Sequence, residues 1–118
     1  MKSNLGDKQR LLHIIDAISE VESYTMNIDF ETFQNNSMMR FACVKQIEII
    51  GEASNNITEE IKNKFTSVNW RQMIGMRHIL IHEYFGIDND VVWQVIKAEL
   101  PKLKIAIAQM IASFGEQI

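Results

Sequence analysis

Between positions 77 and 84 the chain reads Arg77-His78-Ile79-Leu80-Ile81-His82-Glu83-Tyr84. Arginine is a permanent cation whose donor fork matches a phosphate. Histidine gives and takes protons near neutral pH, and tyrosine adds a hydroxyl that can hydrogen-bond or be modified. Together these are parts for phosphoryl chemistry that needs no metal. The reaction they suit is RNA strand cleavage, in which the ribose 2′-OH attacks the adjacent phosphate and the 5′-oxygen leaves. Such a step requires a proton acceptor, a proton donor and a cation for the charge that builds on phosphorus. His82 suits the proton transfers, and Arg77 suits the phosphate through paired N–H contacts. No cofactor is called for, because the nucleophile belongs to the substrate.

Spacing constrains how these groups meet. On a helix turning about 100° per residue, Arg77 and Tyr84 share a face, and His78 and His82 share another. Arg77 and His82 are then separated by roughly 140°. A second copy of the same helix across a two-fold contact closes that gap, so a homodimeric site is expected. The i, i+4 pair His78 and His82 also has zinc-ligand spacing, but no third ligand follows in a recognisable pattern and no Glu-x-x-His run occurs. Glu48 and Glu52 share a helical face and read as a solvated or ion-paired surface. Trp70, Trp93 and the seven methionines read as core filler. Cys43, among Phe41, Ala42 and Val44, reads as a core thiol, and His13 as an ordinary helix position.

The whole chain sets the frame for that site. Its 118 residues are read as one domain, 1–118, large enough for a real core. Apolar residues make 47% and charged residues 23%, as in ordinary water-soluble domains. One proline and five glycines are too few for a turn-rich β architecture. A lone cysteine excludes an internal disulfide and fits a reducing cytoplasm. The first apolar run, Leu11 to Ile18, is interrupted by His13 and Asp16, so it resembles neither a signal peptide nor a membrane span. A formal charge of −3 argues against a general nucleic-acid binder, and no DNA partner is expected. RNA would have to be held by a local cationic site.

Helical periodicity runs nearly throughout. Leu11, Ile14, Ile15, Ile18 and Val21 predict an amphipathic helix over about residues 5–26. Asn27 and Asp29 mark a turn. A second helix is predicted from Asp29 or Asn36 to Ser54, with Met38, Phe41, Val44, Ile47 and Ile50 on one side, broken by Asn55-Asn56. Asn56 and Glu59 have capping-box spacing for a short helix ending near Phe65. Asn69 is the expected N-cap of a helix from Trp70 to Phe85, with Gly86 as its C-terminal stop. Asp88 caps the next helix, and Pro101 kinks it or opens another. Leu103, Ile107, Met110, Ile111 and Phe114 form the last apolar face. Gly51 and Gly75, inside helices, suggest close helix–helix approach, within the bundle or between two chains. The expected fold is all-α, an up-and-down bundle of four to six helices.

Five tracts in register carry a resemblance. They are Gln46-Ile47-Glu48-Ile49-Ile50-Gly51-Glu52-Ala53, Trp70-Arg71-Gln72-Met73-Ile74-Gly75-Met76-Arg77, His82-Glu83-Tyr84, Asp88 with Val92-Trp93, and Leu100-Pro101-Lys102-Leu103. Over about residues 11–104 the chain resembles the HepT-like branch of the HEPN superfamily. Its signature, Arg and a polar residue, three variable residues and then His, is matched by Arg77, His78 and His82. The HepT extension Arg-x4-His-x-Tyr is completed by Tyr84. His78 stands where Asn is more frequent, and Asn69 where Pro is often seen. The resemblance implies a helical bundle that dimerises with both motifs lining one cleft. It implies a metal-independent ribonuclease toxin of a type VII-like toxin–antitoxin pair, with catalytic Arg77 and His82 and supporting His78 and Tyr84. The implied partner is an MNT-type nucleotidyltransferase antitoxin that transfers AMP to Tyr84. A non-catalytic nucleotide- or partner-binding subunit of a nucleotidyltransferase complex is the alternative the same family allows.

Overall fold

The structure is a computed structural model that describes residues 4–75 and 88–116. Helix α1 spans Asn4–Thr25, α2 Phe30–Gln34, α3 Ser37–Asn55 and α4 Glu59–Lys64. Residues 70–75 are helical and are termed α5. Helix α6, Asn89–Gln94, runs through a π-helical turn, Val95–Glu99, into α7, Leu100–Glu116. The described residues contain helices and no strand, which is the expected all-α class. None of these helices is long and apolar enough to cross a membrane.

The long helices form because their apolar residues recur at helical spacing. In α1, Leu11, Ile14, Ile18 and Val21 are fully buried. In α3 the buried stripe is Cys43, Val44, Ile47, Ile50, Gly51 and Ser54. In α7 it is Leu103, Ile107 and Met110, with Ile111 and Phe114 packed at its edge. Helix α1 lies at the centre, packed chiefly on α3 and then on α7. The first turns of α1 face the last turns of α3, and the last turns of α1 meet the start of α7. Both pairs are therefore antiparallel, as in an up-and-down bundle.

Helix starts are set by short side chains that satisfy the first amide groups. Asp29 accepts from the Thr32 amide at 2.8 Å and Asn36 from Met39 at 3.0 Å. The expected second helix thus begins at both candidate positions, as two helices, α2 and α3. Asp29's carboxyl is held below the usual range by the Thr32 backbone and side-chain hydrogen bonds. Its cap is accordingly kept at neutral pH and lost only as acid reaches that lowered value. Asn27 takes a left-handed conformation, φ 59°, to turn the chain out of α1.

Three expectations are corrected. The cap of α4 is Thr58, whose hydroxyl accepts from the Ile61 amide at 3.4 Å, while Asn56 terminates α3. Met38 and Phe41 do not line the core; they are 80% and 63% exposed. The buried stripe of α3 is centred on Cys43, and Phe41 lies roughly 160° around the helix from it. Methionine is not uniformly core filler either: Met73 and Met110 are buried, whereas Met26 is 66% exposed. Gly51 is buried in α3 as a close contact requires, and a Cβ on Gly75 would meet nothing within 4 Å among the described residues.

Pro101 acts one turn before its own position. It cannot donate to a carbonyl four residues back, and the helix widens there, the Leu100 amide bonding to the Val95 carbonyl. Trp93 sits half-buried beside this turn, its ring 5.0 Å from Phe33 and 6.0 Å from Phe30, with the Lys97 ammonium 4.7 Å from its centroid. Cys43 is fully buried, and desolvation pushes its thiol up to about 11. It is a core group, not a nucleophile.

One buried carboxylate ties the bundle together. Asp7 is fully buried, and its two oxygens accept from the Thr58 amide at 2.9 Å and the Thr58 hydroxyl at 2.6 Å. The Arg10 guanidinium lies 3.9 Å away. Asp7 thus joins the start of α1 to the cap of α4. Replacing it with alanine leaves the part-buried Thr58 donors without these partners and removes the counter-charge beside Arg10. The expected loss for Asp7→Ala is about 2–4 kcal/mol, read as a lowered urea midpoint. A change below roughly 0.5 kcal/mol, the size of an ordinary surface substitution, would show that this link is not structural.

Candidate active site

Arg77, His78, His82 and Tyr84 all lie outside the described residues, as do Phe85 and Gly86. The structure shows how the chain enters and leaves their segment. On the entry side Asn69 accepts from the Gln72 amide at 3.0 Å, so α5 starts at the expected cap. Trp70 and Met73 are 8% and 5% exposed. The Trp70 indole N–H donates to the Phe65 carbonyl at 3.1 Å, which satisfies the polar end of a buried ring. These contacts fix the rotation of α5 about its axis up to Gly75.

On the exit side Asp88 has extended backbone geometry, and its carboxylate accepts from the Asp90 and Val91 amides at 2.9 and 3.3 Å. Val92 then anchors α6 at 1% exposure. Residues 76–87 therefore run between two fixed points, a helix locked by Trp70 and Met73 and a helix capped by Asp88.

Helix α3 carries the acidic pair singled out in sequence. Glu48 lies 4.0 Å from the Lys45 ammonium, and Glu52 accepts from the Asn56 side chain at 3.4 Å. Both are engaged surface carboxylates, as expected. Among the described residues, no group of three or more His, Cys, Asp or Glu could hold a metal ion. Sequence reasoning passed over two groups. Asp7 interrupts the apolar stripe that continues through Leu11, Ile14 and Ile18, and a charge in that register signals a buried, partnered carboxylate. Arg10 and His13 lie beside a groove between α1 and α3, which is visible only when the two helices are seen together.

Comparison with known proteins assigns the lineage. Residues 14–110 match the family described as "Ribonuclease HepT-like". A protein of Methanocaldococcus jannaschii named "Putative RNase MJ1380" is 43% identical over 97 residues, covering 82% of this chain and 89% of its own length. "Probable ribonuclease HepT" of Thermococcus cleftensis is 42% identical over 97 residues, covering 82% of this chain and 88% of its own. A third, "Putative RNase MJ0125" of Methanocaldococcus jannaschii, is 33% identical over 110 residues, 93% of this chain and 95% of its own. No solved structure gives a significant match.

Proposed function

Since the chain belongs to the HepT-like ribonuclease family, we propose that it is a metal-independent endoribonuclease toxin that works as a homodimer. The observation that carries the reading is the family match over residues 14–110, which encloses the whole Arg77–Tyr84 motif. In this mechanism His82 accepts the proton of the ribose 2′-OH as its oxygen attacks phosphorus. Arg77 donates two N–H groups to the non-bridging oxygens as negative charge builds there. A proton delivered to the departing 5′-oxygen completes the step and leaves a 2′,3′-cyclic phosphate. The His82 of the second copy suits that delivery, so the two protons are handled by two side chains. His78 hydrogen-bonds the substrate, and Tyr84 supports the site.

Regulation is proposed to act on Tyr84. A nucleotidyltransferase antitoxin of the MNT type would direct the Tyr84 phenol oxygen onto the α-phosphorus of ATP, with pyrophosphate leaving. The added phosphate charge would occupy Arg77 and repel RNA. Expression of this chain alone is expected to arrest growth, and Arg77→Ala to relieve the arrest. Arrest that persists unchanged in Arg77→Ala contradicts the toxin assignment.

A further inference from the structure

The groove between the first turns of α1 and the last turns of α3 is lined by none of the residues assigned to this chemistry. It encloses about 410 Å³ and is walled by Gln9, Arg10 and His13 on one side and by Ile49, Glu52 and Asn56 on the other. Arg10 and His13 are one turn apart on one face of α1. The Arg10 Nη1 is buried and turned toward Asp7, and the side chain is 27% exposed, so the rest of the guanidinium is what the groove can reach. Asp7, 3.9 Å from Nη1, already accepts at both oxygens from Thr58. The guanidinium thus neutralises Asp7 without being saturated by it. His13 is exposed, and an imidazole offers an N–H in either protonation state.

The other wall has the opposite character. The Asn56 side-chain amide donates to the Glu52 carbonyl at 3.0 Å and to its carboxylate at 3.4 Å. The groove is therefore split, with cationic and N–H donors along α1, a carboxylate along α3 and the Ile49 side chain between them. A simple polyanion would be attracted by one wall and repelled by the other. A nucleotide matches the donor wall and the apolar floor, with an anionic phosphate at one end and a flat base to pack on Ile49 at the other. A chain of net charge −3 also needs such a local site to hold RNA.

We propose that the α1–α3 groove is a nucleotide subsite for the RNA strand, with Arg10 and His13 holding a phosphate and Ile49 packing beneath the adjacent base. The assignment of the strand as RNA rests on the ribonuclease reading. The subsite acts on affinity, not on the chemical step.

The test uses the full chain and a fluorescent single-stranded RNA with 2′-O-methyl groups, which cannot be cleaved by 2′-OH attack. His13→Glu, at an exposed position, is expected to weaken binding about tenfold, the scale of a lost charge-assisted contact. For Arg10→Gln, which removes the permanent cation, the plot of log affinity against log salt should become shallower by about 0.7. Arg10→Gln should weaken binding similarly, judged at temperatures where circular dichroism shows it folded. On cleavable RNA, His13→Glu should raise KM and leave kcat unchanged. Wild-type affinity and salt slope in both variants would overturn the subsite, even if the protein cleaves RNA. Groove-dependent binding by a wild type that never cleaves would instead overturn the ribonuclease reading and leave the subsite standing. AMP should compete weakly. Competition by AMP as effective as that of the strand itself would make the ligand a free nucleotide and overturn the strand assignment.

Discussion

His82→Ala is expected to remove RNA cleavage, lowering the rate by roughly 10²–10⁴-fold, the range carried by a positioned proton-transfer group. The loss should sit at the upper end, because in a two-fold site one substitution deletes both copies. The described core should be unaffected. α1, α3 and α7 are held by Leu11, Ile14, Ile47, Ile50 and Ile107, none more than 1% exposed, and by the Asp7–Thr58 link. Circular dichroism and the urea midpoint of the variant should therefore follow the wild type. A proton-transfer group working near neutrality also makes the wild-type rate vary between about pH 5 and pH 9. Full activity in His82→Ala, or a flat profile over that range, contradicts the assignment.

Arg77→Ala is expected to lower kcat by about 10²–10³-fold, the scale of removing one charge-stabilising donor from a phosphoryl or acyl transition state. Arg77→Lys should recover only part of this, since an ammonium keeps the charge but lacks the planar fork that contacts two oxygens together. The order of rates, wild type above Lys above Ala, separates a phosphate contact from a structural one. Equal rates for Lys and Ala would mean that charge at position 77 is irrelevant to the step.

The bundle could be read from the chain because its signals are local. The stripe Leu11, Ile14, Ile18 and Val21 and the caps Asp29, Asn36, Asn69 and Asp88 each act within a turn or two of their own position, and the structure has them where the spacing put them. Expectations failed where a distant partner decides the outcome. Asn56 and Glu59 have sound capping spacing, yet Thr58 caps α4 because Asp7, on another helix, binds both its amide and its hydroxyl. Met38 and Phe41 fit an apolar run, yet α1 and α2 cover the flank of α3 that holds Cys43 and Val44 and leave the other flank exposed. At Gly75 no neighbour lies within 4 Å among the described residues, so of the two approaches a helix glycine allows, within the bundle or between chains, those residues supply no example of the first.

For the site, the sequence supplied residue types and spacing, and the structure supplies the fixed ends. Arg77, His78, His82 and Tyr84 fall between α5, locked by Trp70 and Met73, and the Asp88 cap. The α1–α3 groove was not legible, because Arg10 and His13 acquire meaning only against Ile49 and Glu52, which the fold brings alongside from another helix.

The most direct test of the central claim is to incubate the purified wild-type protein with single-stranded RNA in excess EDTA and identify the new 3′ ends. Cleavage undiminished by the chelator is expected, with 2′,3′-cyclic phosphate termini, from protein whose Tyr84 is shown by mass to be unmodified. Cleavage that stops in EDTA and returns with added divalent metal would contradict it, as would no cleavage of any RNA by that unmodified protein.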